Sequence, residues 1–434
     1  NTTALLMMIA DELDVLPSSI ILETARTDLT PNEGITAGSM SITIGGQALR
    51  WVASALKMQL LGIAARRLRV HVKDLSIYEG YIYNKGKKTE CSFTDFFDGL
   101  DLTNKIVDDA KPKTFGERRK CFRDLNRVDL ESRLFGAPFI HDLKFDGMLY
   151  GAPVHPPSTH SYLANLDLEM LKGRPGVIKV VRNGSFVGII ASTSYHAKNA
   201  ASWARNNGKW ESNIKEPFNL FESIKNADTK LETVIESSDV NKNSGTWFEI
   251  TASRPFIYHG SIGPATAVAK VNNDKITIYT HSQGVFQLRQ AIAKVLNTAE
   301  EKICVIHKPG SGCYGHNGAD DVAFDAVLMA KSVPGKFLKV VWSRFDEFHS
   351  SPMGASMATK SRALLSSNDR LVAFDVELNS TPHTNRPSAN FPNLRAAGYL
   401  ANPISPSRTP DVPMERGGGA ARNAIPSYEV GGVR

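Results

Sequence analysis

Residues 310–321, "GSGCYGHNGADD", put four glycines and an asparagine into nine positions, between an apolar run, "KICVIH", and a helical pattern, "DDVAFDAVLMAKS". A chain of this kind bends freely and brings backbone N–H groups up to a ligand. A second loop, "TPNEGITAGSMS" (30–41), has the same makeup. Amides flanked by small polar side chains suit a ligand with many hydrogen-bonding edges, such as a phosphate or a pterin. Neither loop has the spacing of a Walker loop or of G-x-G-x-x-G, and each alone also fits a plain strand-to-helix turn.

The remaining reactive residues point away from a self-contained redox metal. Cys91, Cys121, Cys304 and Cys313 include no C-x-x-C pair, so an iron–sulfur cluster held by this chain is not expected. Cys304 with His307, and Cys313 with His316, show C-x-x-H spacing. The first pair falls on a strand pattern, where that offset points the side chains to opposite faces, which argues against a structural zinc. Cys313 reads as a structural thiol rather than a nucleophile, since the only base near it in sequence is His316.

These residues need elements to hold them, and the composition supports a sizeable α/β protein. The 434 residues are 42% apolar and 22% charged, ordinary globular material with enough length for two or three cores. The net charge of +7 is spread along the chain, densest at Arg118, Arg119, Lys120 and Arg123, without the interleaved aromatics of a nucleic-acid platform. No stretch approaches 18 apolar residues, so no transmembrane helix is expected.

Periodicity divides the chain into regions. Residues 1–92 read as a helix with Leu5, Leu6, Ile9, Ala10 and Leu13 on one face, a strand "SIILETA", the 30–41 loop, and an amphipathic helix carrying Leu49, Val52, Leu56, Leu60 and Ile63. Residues 93–124 read as a linker. An α/β region over 125–240 has strands "GVIKVV" and "FVGIIA" and a helix near 195–206, and its end from about 207 is charged and irregular. The region 247–434 has strands "TWFEITA" and "KITIYT", a helix over 284–297, and the glycine turn. Its tail from Ser380, rich in Pro, Gly, Ser and Asn, is expected to wrap over a surface rather than form a core. Starting at Asn1 inside a helical pattern, the chain is expected to lack its beginning.

The block over 276–321, "ITIYTHSQGVFQLRQAIAKVLNTAEEKICVIHKPGSGCYGHNGADD", resembles the large subunits of the xanthine oxidase family of molybdenum hydroxylases, where a strand ending in Thr-Gln and a helix precede a G-G-G-F-G-G turn. "RDLNRVDLESRLFGAPFIHDLKFDGMLYGAPVHPPS", "PGVIKVVRNGSFVGIIA" and "GKFLKVVWSRFDEF", with Arg344 and Glu347 as its Arg-x-x-Glu, resemble further family blocks. "TALLMMIADELDVLPSSIILETARTDLTPNEGITAGSMSITIGGQALR" resembles a cofactor block that follows the turn in xanthine dehydrogenases but precedes it here. That order is similar to the isoquinoline 1-oxidoreductase, nicotinate dehydrogenase and membrane-associated aldehyde dehydrogenase type.

The resemblance implies an α/β (α+β) fold of mixed sheets and packed helices that binds a molybdopterin-type molybdenum cofactor, with the cytosine dinucleotide form among the options. It implies hydroxylation of an aldehyde or N-heteroaromatic substrate with oxygen from water. Electrons would pass to a small 2Fe–2S subunit and a cytochrome c subunit, in a periplasmic or membrane-associated complex, with the cytoplasm left open. Gln283 takes the place of the glutamine beside the metal. Gly312, Cys313, Tyr314 and Gly315 take the place of the glycine turn, and Ala37, Gly38, Ser39 and Ser41 the place of the second cofactor loop. His259 and His316 become candidates for the substrate pocket, with Gly263 where the family often has Glu. The family's catalytic Gly-x-Gly-Glu is absent, so the base is unassigned and the remaining half is expected on further polypeptide. Glu300, Glu301 and Glu347 read as surface ion-pairing residues. The alternative is a noncatalytic scaffold homologue within a larger redox complex.

Overall fold

The computed structural model describes residues 1–100, 110–118, 125–158, 160–212, 219–227, 232–237, 244–310, 312–407, 409–414, 418–427, 430 and 432–433. Arg119, Lys120, Cys121 and Arg123 lie outside the described residues. The chain forms two compact units, one of residues 1–24 and 39–138, the other of 25–38 and 139–434. These boundaries differ from the breaks near 92 and 124 suggested by composition.

In the first unit, helices α1 (Thr2–Leu13) and α2 (Gln47–Leu68) pack on a three-stranded meander, β1 (Leu75–Tyr78), β2 (Tyr81–Asn84) and β3 (Lys87–Ser92), and a short α3 (Leu130–Leu134) follows. Asp14 and Arg69 end the two helices in left-handed conformation, φ 57° and 55°, each turning its N–H back onto the last turn. Ala10, Leu13, Leu60, Ala64, Ile77, Ile82 and Phe96 form the core. Val52, expected on the apolar face, is 47% exposed; the buried stripe of α2 runs instead through Arg50, Ala53, Ser54, Leu60 and Ala64. Arg50 is buried because Glu12 accepts from its Nε at 3.2 Å and from the Lys113 backbone at 2.7 Å. Lys113 Nζ reaches Asp14 at 2.6 Å, so the stretch around residue 113 is fastened to the helices rather than serving as a free linker.

The second unit contains β4 (Leu149–Val154), β5 (Ser161–Asn165), α4 (Leu168–Lys172), β6 (Val177–Asn183), β7 (Phe186–Ala191), α5 (Ser194–Asn207), β8 (Lys209–Ser212), α6 (Leu220–Lys225), β9 (Thr246–Arg254), β10 (Thr266–Asn272) and β11 (Lys275–Thr280). It continues with α7 (Val285–Leu296), β12 (Ile303–His307), α8 (Ala319–Ala330), β13 (Phe337–Val341), α9 (Arg344–Ser350), β14 (Met357–Leu365), β15 (Leu371–Ser380) and β16 (Gly432–Val433). A seven-stranded mixed sheet has the order β12-β11-β10-β13-β4-β7-β6, a four-stranded sheet the order β16-β15-β14-β9, and β5 pairs with β8. β11 and β12 are parallel, as the α7 crossover requires. Helix α8 is buried except at Leu328, and its Phe324 shares a core with Leu288, Ile278, Val340 and Trp342.

Two expectations are corrected here. "SIILETA" forms no strand; only Arg26 bridges Ile306, with Thr27 and Val305 exchanging hydrogen bonds at 3.0 and 2.9 Å, and Ile21 is exposed. The tail after Ser380 does enter the core. Leu394, Ala396, Ala397 and Tyr399 are buried against α8, where Asp321 accepts from Arg395 N at 2.7 Å. Small residues packed without periodicity leave no sequence pattern for such a contribution. Among the described residues no helix is long and apolar enough to cross a membrane.

Candidate functional site

The chain leaves β12 and turns sharply at Gly310, where a Cβ would lie 2.9 Å from the His281 ring. Gly312 and Gly315 follow at φ 114° and 135°, with Tyr314 at 57° between them. Only glycine holds the first two conformations without strain. A Cβ on Gly315 would collide with the His259 ring, so this glycine also lets the 255–265 loop pack against the turn. Among the described residues, no backbone N–H of 312–316 donates a hydrogen bond, and the Tyr314 side chain is 61% exposed. The turn therefore presents a run of free donors.

Gln283 sits where β11 gives way to α7. Its backbone carbonyl accepts from Thr36 N at 2.9 Å, and its Nε2 donates to Thr36 O at 2.7 Å. Its Oε1 accepts from Cys313 Sγ at 3.1 Å. One side chain thus joins the 25–38 loop to the glycine turn and keeps one amide N–H in reserve. Ala37 and Gly38 (φ 63°) follow immediately, exposed, with N–H groups that donate to no described residue. Ser39 (φ 58°) is exposed, and Ser41 is half-buried where a π-helical turn, Ser41–Gly46, leads into α2; both belong to the first unit.

Both candidate histidines lie at the turn. The loop carrying His259 is clasped from α9: Arg344 donates to the Ser261 and Ile262 carbonyls at 2.8 and 3.0 Å, and Glu347 accepts from Ala265 N. Glu347 is buried and also accepts from Ser351 Oγ at 3.1 Å, so it is an internal clasp and not the surface ion-pairing residue expected. Glu300 does pair with Arg289, at 3.1 Å, and Glu301 is exposed. His316 Nε2 is 3.3 Å from Asp320 Oδ2 without hydrogen-bond alignment, and Ser282 donates to Asp320 Oδ1. Burial pushes both imidazoles toward neutrality; His316 and Arg386 add to this at His259, and Arg386 adds to it at His316 while Asp320 opposes. Burial raises the Asp320 carboxyl, but His316, Ser282 and Arg386 together hold it below the ordinary carboxylate range.

Arg386 and Asp320 are the site residues that sequence reasoning missed. Arg386 comes from the Pro-rich tail and lines a narrow cleft with Ile35, Gly284, Gln287, Asp320 and Pro387. No spacing in the tail marks it.

The arrangement fits a cofactor with many hydrogen-bonding edges. Two runs of undonated amides meet at Gln283, and Gln287 Oε1, His259 Nδ1 and His316 Nε2 are buried polar atoms without hydrogen-bond partners among the described residues. Unpaired buried atoms of this kind call for a partner, and a bound ligand is one that would supply it. Among the described residues no group of three or more acidic, histidine or cysteine side chains could hold a bare metal ion.

Comparison with known proteins finds a molybdopterin cofactor-binding domain over residues 1–110 and another over 217–383, together more than half of the chain. One of the nicotinate dehydrogenase subunits of Pseudomonas putida is 28% identical over 451 residues, covering 100% of this chain and 36% of its own. A membrane-bound aldehyde dehydrogenase of Gluconacetobacter polyoxogenes is 22% identical over 407 residues, covering 86% of this chain and 51% of its own. The chain therefore spans about a third to a half of the length of these relatives. Solved structures similar to it include quinoline 2-oxidoreductase from Pseudomonas putida 86, at 15% identity and a TM-score of 0.47 over 60% of this chain and 40% of that one. Another is the aldehyde oxidoreductase from Desulfovibrio gigas, at 14% and 0.45 over 57% and 33%. Both matched segments are molybdopterin cofactor-binding domains, and the chain belongs with the proteins that carry them.

Proposed function

We propose that this chain forms the molybdopterin-binding part of an oxidoreductase that hydroxylates an aldehyde or an N-heteroaromatic compound with oxygen from water. In this reading electrons leave through a small 2Fe–2S subunit and a cytochrome c subunit. The observation that carries it is the Gln283 bridge, which draws two runs of free amides, at 37–38 and 312–316, to one place. When bound, a molybdenum–pterin cofactor supplies the two-electron redox centre that these side chains lack. The chain's own part is to hold and orient it. Amides of Cys313, Tyr314 and Gly315 and of Ala37 and Gly38 would donate to its edges, the spare N–H of Gln283 would be a further donor, and the resemblance implies additional hydroxyl contacts from Ser39 and Ser41.

Substrate would approach over His259 and His316, held neutral by burial and therefore able to donate from one nitrogen and accept at the other. Water attack also needs a base within hydrogen-bonding reach. Glu347 is engaged at both oxygens, and Asp320 is occupied by Ser282 and faces His316. Neither is free to act as that base, and this reading assigns it to the Gly-x-Gly-Glu element that the family resemblance implies. The names of those relatives favour a nicotinate-like ring or an aldehyde as substrate.

The test is metal and pterin analysis of the protein purified with its partner subunits from molybdate-replete cells. Stoichiometric molybdenum and pterin are expected. A folded protein devoid of both would refute the reading and leave a noncatalytic scaffold.

A further inference from the structure

The four-stranded sheet ends at β9, and among the described residues no strand lies beyond it. All of Thr246–Arg254 is exposed. Side chains along a strand alternate between its faces, so Phe248, Ile250 and Ala252 share one of them. On that face Phe248 is 56% exposed and Ile250 67%. Their partners across β14 are Ala363 and Ser361, too small to cover them.

An open edge of this length invites a further strand, and proteins ordinarily block it with a lysine, a proline or a bulge. β9 has none of these: its sequence, "TWFEITASR", lacks both residues, and its register with β14 runs unbroken from Thr246 to Arg254. Both of its charges already have partners beside it. Glu249 pairs with Lys360 at 3.0 Å, and Arg254 donates to the Ala355 carbonyl at 3.2 Å from Nε and 2.9 Å from Nη2.

The order of residues along β9 decides which strand fits. Pairing it antiparallel with a second β9 about Ile250 sets Phe248 against Ala252, Glu249 against Thr251, Trp247 against Ser253 and Thr246 against Arg254. Each aromatic side chain then meets a small one, no like charges are opposed, and Ile250 meets its own copy on the two-fold axis. A symmetric dimer interface requires self-complementarity of this kind. We propose that β9 is a homodimerisation edge that joins the four-stranded sheets of two copies of this chain into one continuous sheet, with Ile250 at its centre.

The test is analytical ultracentrifugation of the protein purified with its partner subunits. Concentrations up to about 100 µM are needed, because the interface of one strand pair is small. The wild type is expected to carry two copies of this chain per particle. Ile250→Lys and Ile250→Glu each remove the apolar contact and put like charges across the axis, and each should weaken association about 10-fold. An equimolar mixture of the two variants sets Lys against Glu and should restore much of the association, which also shows that both fold. Hydrogen exchange gives a second reading: amides of 246–254 should exchange more slowly in the wild-type dimer than in Ile250→Lys. Association equal in the wild type and both variants overturns the proposal, as does a mixture no tighter than its components. A single copy per particle at the highest concentration also overturns it, and slow exchange of β9 in that particle would assign the edge to a different chain.

Discussion

At the scale of single residues, Gly315 carries two constraints at once: φ 135°, and a His259 ring where a side chain would be. Gly335 has φ 79° with nothing near its missing Cβ, so it isolates the backbone term. Gly335→Ala is expected to cost about 1 kcal/mol and to leave molybdenum content unchanged. Gly315→Ala should cost about 1–3 kcal/mol and release most of the molybdenum, as read by metal analysis and thermal melting. Equal behaviour of the two variants would show that the collision with His259 is unimportant. Gln283→Ala removes two side-chain hydrogen bonds that join Thr36 to Cys313. Turnover per molybdenum should fall about 10- to 100-fold, and cofactor content should fall less. Unchanged turnover per molybdenum would remove Gln283 from the site. The glycine turn and Gln283 were legible in sequence because both belong to one continuous run; Arg386, about a hundred residues away, had no local signal.

At the scale of elements, α9 acts as a clasp. The sequence shows Arg344 and Glu347 one turn apart, and the structure shows both reaching into the same loop, 261–265. Glu347→Ala would leave Ala265 N buried without an acceptor, a cost of about 2–3 kcal/mol in urea unfolding. His259 would lose its fixed position, so proteolysis within 255–264 should accelerate. Glu347→Gln retains an acceptor oxygen and should restore much of the loss. A stability change under about 0.5 kcal/mol for the alanine variant would show that water replaces the carboxylate. Helical and strand periods made α5, α7, β7, β11 and β12 readable. "SIILETA" had the composition of a strand, but only Arg26 finds a bridging partner on β12.

At the scale of the whole molecule, a buried charge cluster ties elements far apart in sequence. His155, after β4, lies 3.1 Å from Asp325 of α8 and 3.2 Å from Asp346 of α9, and Arg205 of α5 also reaches Asp346, at 3.1 Å. Burial would lower the His155 proton affinity, but the two carboxylates outweigh it and raise its pKa to about 9. A raised value means that the contribution is full below the unfolded value of 6.5 and is lost as pH rises through about 9. Stability should therefore fall by about 3 kcal/mol between pH 6.5 and 9.5. Burial also raises Asp321, to about 7, so its own loss is largely complete by neutrality and the window above it reports His155. Urea unfolding of the wild type and of His155→Gln across that range checks this: the slope should vanish in the variant, and an unchanged slope would assign it elsewhere.

By itself the sequence determined the α/β class, helices α1, α2, α5, α7 and α8, strands β6, β7, β9, β11 and β12, and the two glycine-bearing loops, because glycine conformations and apolar periods are local properties carried by neighbouring residues. Only the tertiary structure decided that 25–38 joins the second unit, that the tail fills its core, that Glu347 is an internal clasp, and that Arg386 faces Asp320. Those outcomes depend on which distant surfaces exclude water together. A buried charge or an irregular strap is stabilised by partners that no window of the sequence contains.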